Sequence, residues 1–372
     1  MEFDTKLIQV GQEPTPGTGD VIPPIHLATT YEQRAQDDLR YFYGRGENPT
    51  REALERCLAS LEGAAHALAF SSGQAAGATA LSLLRPGSVL VSSDDVYGGT
   101  FSLFATLEHH GIQVEYHDLS DPEVVATALR PGVDMVWIET PTNPLLKITD
   151  IAAVCERAHA HGTPVLIDNT FASPVLQQPL ALGADITLYS TTKFISGHSD
   201  VIGGALVYQR DDFHQAFASY RTAAGNVPSP FDCFLLHRGL KTLSLRVDRQ
   251  NASTLRIVDL LQASPKVGTV HYPGLADHPQ HHVAKAQMSG FGSIVTFEYH
   301  GAVPDLLQRV ERFAVAVSLG SVRSLIECPA LMTHRPIPAE TRKALGITDS
   351  MVRLAVGIED VRDLLADLDQ AL

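Results

Sequence analysis

The chain has 372 residues, of which 44% are hydrophobic and 19% charged, and its formal net charge is −14. That length allows more than one domain around a sizeable core. The acidic balance excludes the basic surface that nucleic acid or an anionic membrane requires, though a few local donors can still hold a phosphate.

No apolar run is long enough to span a bilayer, and the start MEFDTKLIQV lacks the basic-then-apolar pattern of a signal peptide. Cys57, Cys155, Cys233 and Cys328 are widely spaced, a pattern that suits buried, reduced thiols rather than a disulfide framework or a zinc site. A cytoplasmic protein is the expectation.

Residues 11–24 (GQEPTPGTGDVIPP) are half Gly and Pro and read as an extended arm that continues through Ile25–Tyr43. Asn48-Pro49 predicts a capped helix start, with the helix running to about Glu62. Strands are predicted at Ala65–Phe70, Ser88–Val91, Val133–Glu139, Pro164–Asp168, Ile186–Tyr189 and Gly204–Tyr208, separated by amphipathic segments such as Ile151, Val154, Cys155 and Ala158. This alternation predicts an α/β fold with a mostly parallel central sheet, with ligands beyond the carboxyl ends of its strands. Leu236, Leu240, Leu243 and Val247 predict one long helix. Strands at Thr269–Tyr272 and Ser293–Tyr299 and a last helix through Val361, Leu364, Leu365 and Leu368 then predict a smaller C-terminal α/β domain. The expected division is an arm over 1–47, a large domain over 48–235 and a C-terminal domain over 236–372.

The chemistry concentrates in Tyr189-Ser-Thr-Thr-Lys-Phe-Ile-Ser-Gly-His-Ser-Asp200, directly after an apolar strand. Lys193 can form a Schiff base with an aldehyde cofactor, and Ser190 and Thr192 can donate to a phosphate beside it; the plainer reading is a surface lysine in a polar loop. Asp168 ends another strand. A carboxylate there can keep the ring nitrogen of pyridoxal 5′-phosphate (PLP) protonated, or it can simply cap a helix. Ser71-Ser-Gly-Gln-Ala-Ala76 leads from a strand into a helix, where free N–H groups and the helix dipole favour phosphate. Tyr97, in Tyr97-Gly-Gly-Thr100, can stack on a flat cofactor or merely sit half-buried in a turn. The absence of G-x-G-x-x-G with a later acidic residue argues against a nicotinamide-dependent oxidoreductase. His278, His281 and His282 read as a polar loop, so no metal is expected. His109-His110 and His159-x-His161 end helices, where partial positive charge is favourable.

Together these blocks resemble the PLP-dependent family of cysteine and methionine metabolism, which includes cystathionine γ-lyase and γ-synthase, cystathionine β-lyase and methionine γ-lyase. The resemblance covers nearly the whole chain. It runs from Pro23-Pro-Ile25 and Tyr43-Gly-Arg-Gly-Glu-Asn-Pro-Thr-Arg51 through Glu139-Thr-Pro-Thr-Asn-Pro144 and Asp168-Asn-Thr-Phe171. It continues to Tyr272-Pro-Gly-Leu275, Ser318-Leu-Gly320, Met332-Thr-His334, Gly346-Ile-Thr-Asp349 and Val352–Asp360.

The resemblance implies the fold-type I, aspartate-aminotransferase-like architecture and a homotetramer of two active dimers. It implies that Lys193 carries the cofactor, Asp168 pairs with the pyridine nitrogen and Tyr97 stacks on the ring. Ser72, Gly73, Gln74, Ser190 and Thr192 would hold the phosphate, with Tyr43 and Arg45 reaching it from the partner subunit. Arg353 would clamp the substrate α-carboxylate, supported by Asn143 and Ser318, and Lys193 and Tyr97 would move protons. The implied reaction is elimination or replacement at Cγ of a sulfur amino acid; a catalytically dead relative acting as a binding partner is disfavoured by the intact Lys193, Asp168, Tyr97 and Arg353.

Three distal-pocket positions depart from the family pattern. Phe42 and Val317 stand where acidic residues are usual, and Phe101-Ser102 stands where an Asn-Arg pair is usual. A charged distal group facing Val and Phe would lose hydration without gaining a partner. The departures therefore point toward methionine or homocysteine. Gly99, however, occupies the place where methionine γ-lyases commonly have cysteine, Arg323 adds a charge that can supply a different distal contact, and the blocks as a whole look closest to cystathionine γ-lyase and γ-synthase.

Overall fold

A computed structural model describes residues 1–33 and 40–372. Residues 34–39, part of the predicted arm, lie outside the described residues. The chain divides into two compact units, Met1–Leu83 with Asp185–Leu243, and Leu84–Ala184 with Ser244–Leu372.

Among the described residues, seven strands lie in the first two-thirds of the sequence: β1 (His66–Phe70), β2 (Val89–Ser93), β3 (Gln113–His117), β4 (Met135–Glu139), β5 (Val165–Asp168), β6 (Ile186–Tyr189) and β7 (Gly204–Tyr208). In the second unit β3, β2, β4 and β5 form a wholly parallel ladder in that order. The continuous apolar runs of β4 and β5 follow from burial on both faces. In the first unit β1 and β6 both pair antiparallel with β7. The reversed β7 begins at Gly204, where a Cβ would stand 2.2 Å from the Ser72 carbonyl oxygen; only glycine permits that approach.

Five further strands, β8 (Val267–His271), β9 (Ile294–Tyr299), β10 (Ala314–Val315), β11 (Leu325–Glu327) and β12 (Met351–Ala355), form a second sheet in the order β10-β11-β12-β9-β8. Its core joins Val295, Phe297, Ile326, Val352 and Leu354 to Leu364 and Leu368 of the last helix, Val361–Ala371. That helix buries the apolar stripe read from the sequence, and Asp360 caps its start by accepting the Arg362 N–H.

The Asn48 cap is as expected: its side chain accepts from Thr50 N and Arg51 N at 3.0 and 3.1 Å, ahead of the helix Pro49–Leu61. The long helix expected through Leu236–Val247 is instead two, Pro230–Leu240 and Leu243–Ala263. Leu236, Leu240 and Leu243 are all buried, so the leucine spacing survives the break at Lys241-Thr242 and conceals it. The N-terminal stretch also carries an unforeseen helix, Phe3–Gln9, anchored by the buried Leu7. All four cysteines are buried free thiols.

His237, 4% exposed, contacts the Val10 carbonyl at 3.1 Å, and burial pulls its pKa down to about 4. The unfolded chain binds a proton here that the folded chain refuses, so this contribution is present above about pH 6.5 and lost as pH falls toward 4. Asp95 and Asp168, both raised to about 6 by burial, act in the opposite sense. His237→Gln is therefore expected to reduce the fall in urea midpoint between pH 7 and pH 5, removing about 2 kcal/mol of pH-dependent destabilisation. An unchanged pH dependence would contradict this role.

Candidate active site

In the first unit the Lys193 loop and the Ser72 turn converge. β6 ends at Tyr189, and the loop that follows is closed by bonds from Lys193 N to Ser190 O at 3.1 Å and from Gly197 N to Lys193 O at 2.8 Å. Ser72 caps the helix Gly73–Leu81, its Oγ accepting Ala75 N–H at 3.0 Å. A Cβ on Gly73 would lie 3.0 Å from Ser190 Cβ. Glycine thus lets a helix N-terminus sit directly against Ser190. Gln74 lies in the first turn of the same helix. Thr192 turns its hydroxyl toward the strand behind, donating to Gly203 O at 3.1 Å and accepting Gly203 N–H at 3.0 Å. Tyr43 is 43% exposed with the Arg45 guanidinium 5.5 Å from its ring centre, and Arg45 also donates to the Thr222 carbonyl at 2.5 Å.

In the second unit Tyr97, Asn143, Asp168, Ser318 and Arg353 are tied together through strand ends and loops. Arg353, on β12 and 1% exposed, donates to Asn143 Oδ1 and Ser318 O at 2.8 Å each and pairs with Glu327 at 2.7 Å. Its Nε is buried without a hydrogen-bond partner, an unspent charged donor of the kind a carboxylate ligand would satisfy. Thr333 donates to Glu327 at 2.8 Å, and His334 Nε2 contacts the Asn143 carbonyl at 2.8 Å. The same turn presses on the Tyr97 loop: a Cβ on Gly98 would lie 2.6 Å from Thr333 O. Asp95 fastens that loop to the Asn143 loop, accepting Thr142 Oγ1 at 2.5 Å and Leu145 N at 3.1 Å.

Asp168 ends β5, and its Oδ1 accepts from Thr170 N at 3.0 Å and Thr170 Oγ1 at 2.5 Å. Withdrawal from water raises its pKa to about 6 despite these bonds, so a cationic partner would return it toward the ionised form. Glu139 ends β4 in register with Asp168 and accepts Tyr97 N–H at 2.9 Å. Burial first, and the Asp168 charge second, push its carboxyl well above the usual range.

Of the distal positions, Phe42 is 72% and Val317 52% exposed, while the Ser102 hydroxyl turns back onto the Gly98 carbonyl at 3.0 Å. Arg323 lines a surface cleft with Glu311, Glu359 and Asp363 rather than meeting the Arg353 network. Glu139, Glu327 and His334, given no role on sequence grounds, contact the candidate site residues Tyr97, Arg353 and Asn143 respectively. Glu139 and His334 stand in family-like blocks, Glu139 at the end of an apolar run, while Glu327 carries no such signal.

Each unit by itself carries donors or acceptors suited to one part of a phosphorylated aldehyde with a basic ring nitrogen. A glycine-lined helix N-terminus beside Ser190 suits the phosphate, and a water-deprived carboxyl at Asp168 suits the ring nitrogen. The comparisons agree with this chemistry. The model of the Cys/Met metabolism PLP-dependent enzymes matches residues 4–372, and the chain belongs to that family. It is 46% identical to the cystathionine gamma-lyase of Dictyostelium discoideum, covering 100% of this chain and 97% of that one. Among solved structures, cystathione gamma lyase (CalE6) from Micromonospora echinospora is 62% identical with a TM-score of 0.98, covering 100% of this chain and 99% of that one. An apo structure of CalE6, there called a methionine gamma lyase, is 60% identical with a TM-score of 0.96 and the same coverage. The fold is thus the α/β fold of these PLP-dependent enzymes with its mostly parallel central sheet, and the cofactor is PLP. No helix among the described residues is long and apolar enough to cross a membrane.

Proposed function

We propose that this PLP-dependent carbon–sulfur lyase catalyses γ-elimination on a sulfur amino acid, cystathionine first, releasing a thiol, ammonia and 2-oxobutanoate. The buried Arg353 network carries the reading, because its unspent Nε–H and its Asn143 and Ser318 partners suit an amino-acid α-carboxylate. When bound, PLP supplies an electron sink for negative charge developing on the substrate carbons. Lys193 is the covalent attachment point, and its Nζ, once released, takes the proton from Cα. Asp168 keeps the ring nitrogen protonated. Tyr97 covers the ring face, and its hydroxyl moves a proton at the departing sulfur. Gly73, Gln74, Ser72, Ser190 and Thr192 hold the phosphate, joined by Tyr43 and Arg45 from a partner subunit in a cytoplasmic homotetramer. If a thiol adds before the product leaves, the same residues support γ-replacement, as in a cystathionine γ-synthase.

A second reading, favoured by Phe42, Ser102 and Val317, is methionine γ-lyase or homocysteine desulfhydrase activity. None of the three brings a charge for the far end of cystathionine, and the names given to CalE6 include both lyases. Incubation with cystathionine, methionine, homocysteine and O-acyl-homoserine in turn, with 2-oxobutanoate and thiol measured, separates the readings. 2-Oxobutanoate from none of the four would overturn both. Val317→Glu is expected to raise turnover of cystathionine relative to methionine by roughly tenfold, the worth of one added charge-assisted hydrogen bond. An unchanged ratio would remove residue 317 from the distal pocket.

A further inference from the structure

β4 and β5 are parallel neighbours, and Glu139 and Asp168 are register partners at their carboxyl ends. Partners in a parallel pair project to the same side of the sheet, one strand spacing (about 4.8 Å) apart. Two carboxylates held so closely in a water-poor site do not both ionise readily. Glu139 is the more deeply placed, at 4% exposure, and its pKa stands well above the ordinary range through burial and the Asp168 charge. The nearby charges include Asp95, which discourages ionisation further, and Arg353, which opposes it. Its Oε2 accepts the backbone N–H of Tyr97 at 2.9 Å. Tyr97 is the N-cap residue of the helix Gly98–Glu108 and makes no side-chain cap of its own, so Glu139 satisfies the N–H at the point where the loop turns into the helix.

We propose that Glu139 is a positioning residue, acting as a neutral acceptor that fixes the Tyr97 backbone while leaving Asp168 as the one ionised carboxylate of the pair. The proposal rests on the reading that Tyr97 and Asp168 face the cofactor. The acceptor function needs an oxygen at this place and no charge, so Gln replaces Glu and Ala does not. Loss of the anchor lets the Tyr97 ring shift, and displacements of this size cost catalysis more than substrate binding.

The test compares Glu139→Gln, Glu139→Ala and Tyr97→Ala with the parent holoenzyme, measuring kcat, KM and the dissociation constant of PLP from the reconstituted apo-protein. For Glu139→Ala the expectation is a fall in kcat of about 10–100-fold with KM within about twofold. PLP binding should weaken about fivefold as ring stacking loosens. Glu139→Gln is expected within about threefold of the parent in all three quantities, a rescue that a merely space-filling role does not explain. A Glu139→Gln variant as impaired as Glu139→Ala would overturn the proposal, as would a Glu139→Ala variant unchanged in kcat and PLP affinity. The near-isosteric Gln variant keeps the test open if the Ala variant misfolds. If Tyr97→Ala leaves kcat and PLP affinity unchanged, the reading of Tyr97 itself fails; if it lowers both while Glu139→Ala does not, only the role of Glu139 fails.

Discussion

Lys193→Ala is expected to yield a folded protein that lacks the absorption band of a lysine-bound imine and shows no measurable 2-oxobutanoate production. Lys193 follows β6 in a loop braced by the Ser190 and Gly197 backbone bonds and by the Thr192–Gly203 contacts. None of these bonds uses the lysine side chain, so its truncation leaves the loop's frame in place. The variant loses the covalent attachment and the proton acceptor for Cα together. Removal of a general base alone costs about 10²–10⁴-fold. Absorbance scans after PLP reconstitution and coupled 2-oxobutanoate assays measure the two losses, and an active Lys193→Ala protein that keeps the imine band would contradict the assignment.

Arg353 is expected to show the second largest effect, in two separable parts. Arg353→Lys keeps a cation but loses the planar fork that meets Asn143 Oδ1, Ser318 O and Glu327 and leaves Nε free for substrate. KM for the amino acid should rise by about 10–100-fold, the worth of charge-assisted hydrogen bonds. Arg353→Leu adds a stability cost, because it removes the guanidinium from beside a carboxylate that is 1% exposed. Breaking a buried pair in this way costs about 3–5 kcal/mol. Urea unfolding and substrate kinetics on the two variants separate the parts. Equal stability of Arg353→Leu and the parent would contradict the buried pair, and an unchanged KM in both would remove Arg353 from the carboxylate site.

The sequence made some parts of this arrangement legible for clear physical reasons. β6 and β7 fall where predicted, at Ile186–Tyr189 and Gly204–Tyr208, because short apolar runs between glycine and polar residues have few alternatives to a buried strand. β3, QVEYH, alternates polar and apolar residues but is a short edge strand with only Val114 and Tyr116 as apolar positions, too brief a pattern to separate from loop. β12 falls largely within the family-like block Val352–Asp360, whose arginine and glycine obscure its strand character. The helix break at Lys241-Thr242 was hidden because both helices keep leucines at helical spacing. The candidate site residues stand in motifs that can be picked out one at a time, as with Lys193, Asp168 and Arg353. Their supports cannot: the pairing of Glu139 with Asp168 depends on which strand lies beside which, and the Asn143–Arg353 bond joins residues 210 positions apart. Thr192 shows the converse limit, since its motif suggested phosphate while its hydroxyl also locks the loop to Gly203.

The most direct test of the central claim is chemical. Borohydride reduction of the PLP-loaded enzyme, followed by digestion and peptide mass spectrometry, should place the reduced pyridoxyl group on Lys193 alone. A stable adduct on any other lysine, or none on the Lys193 peptide, would contradict the account.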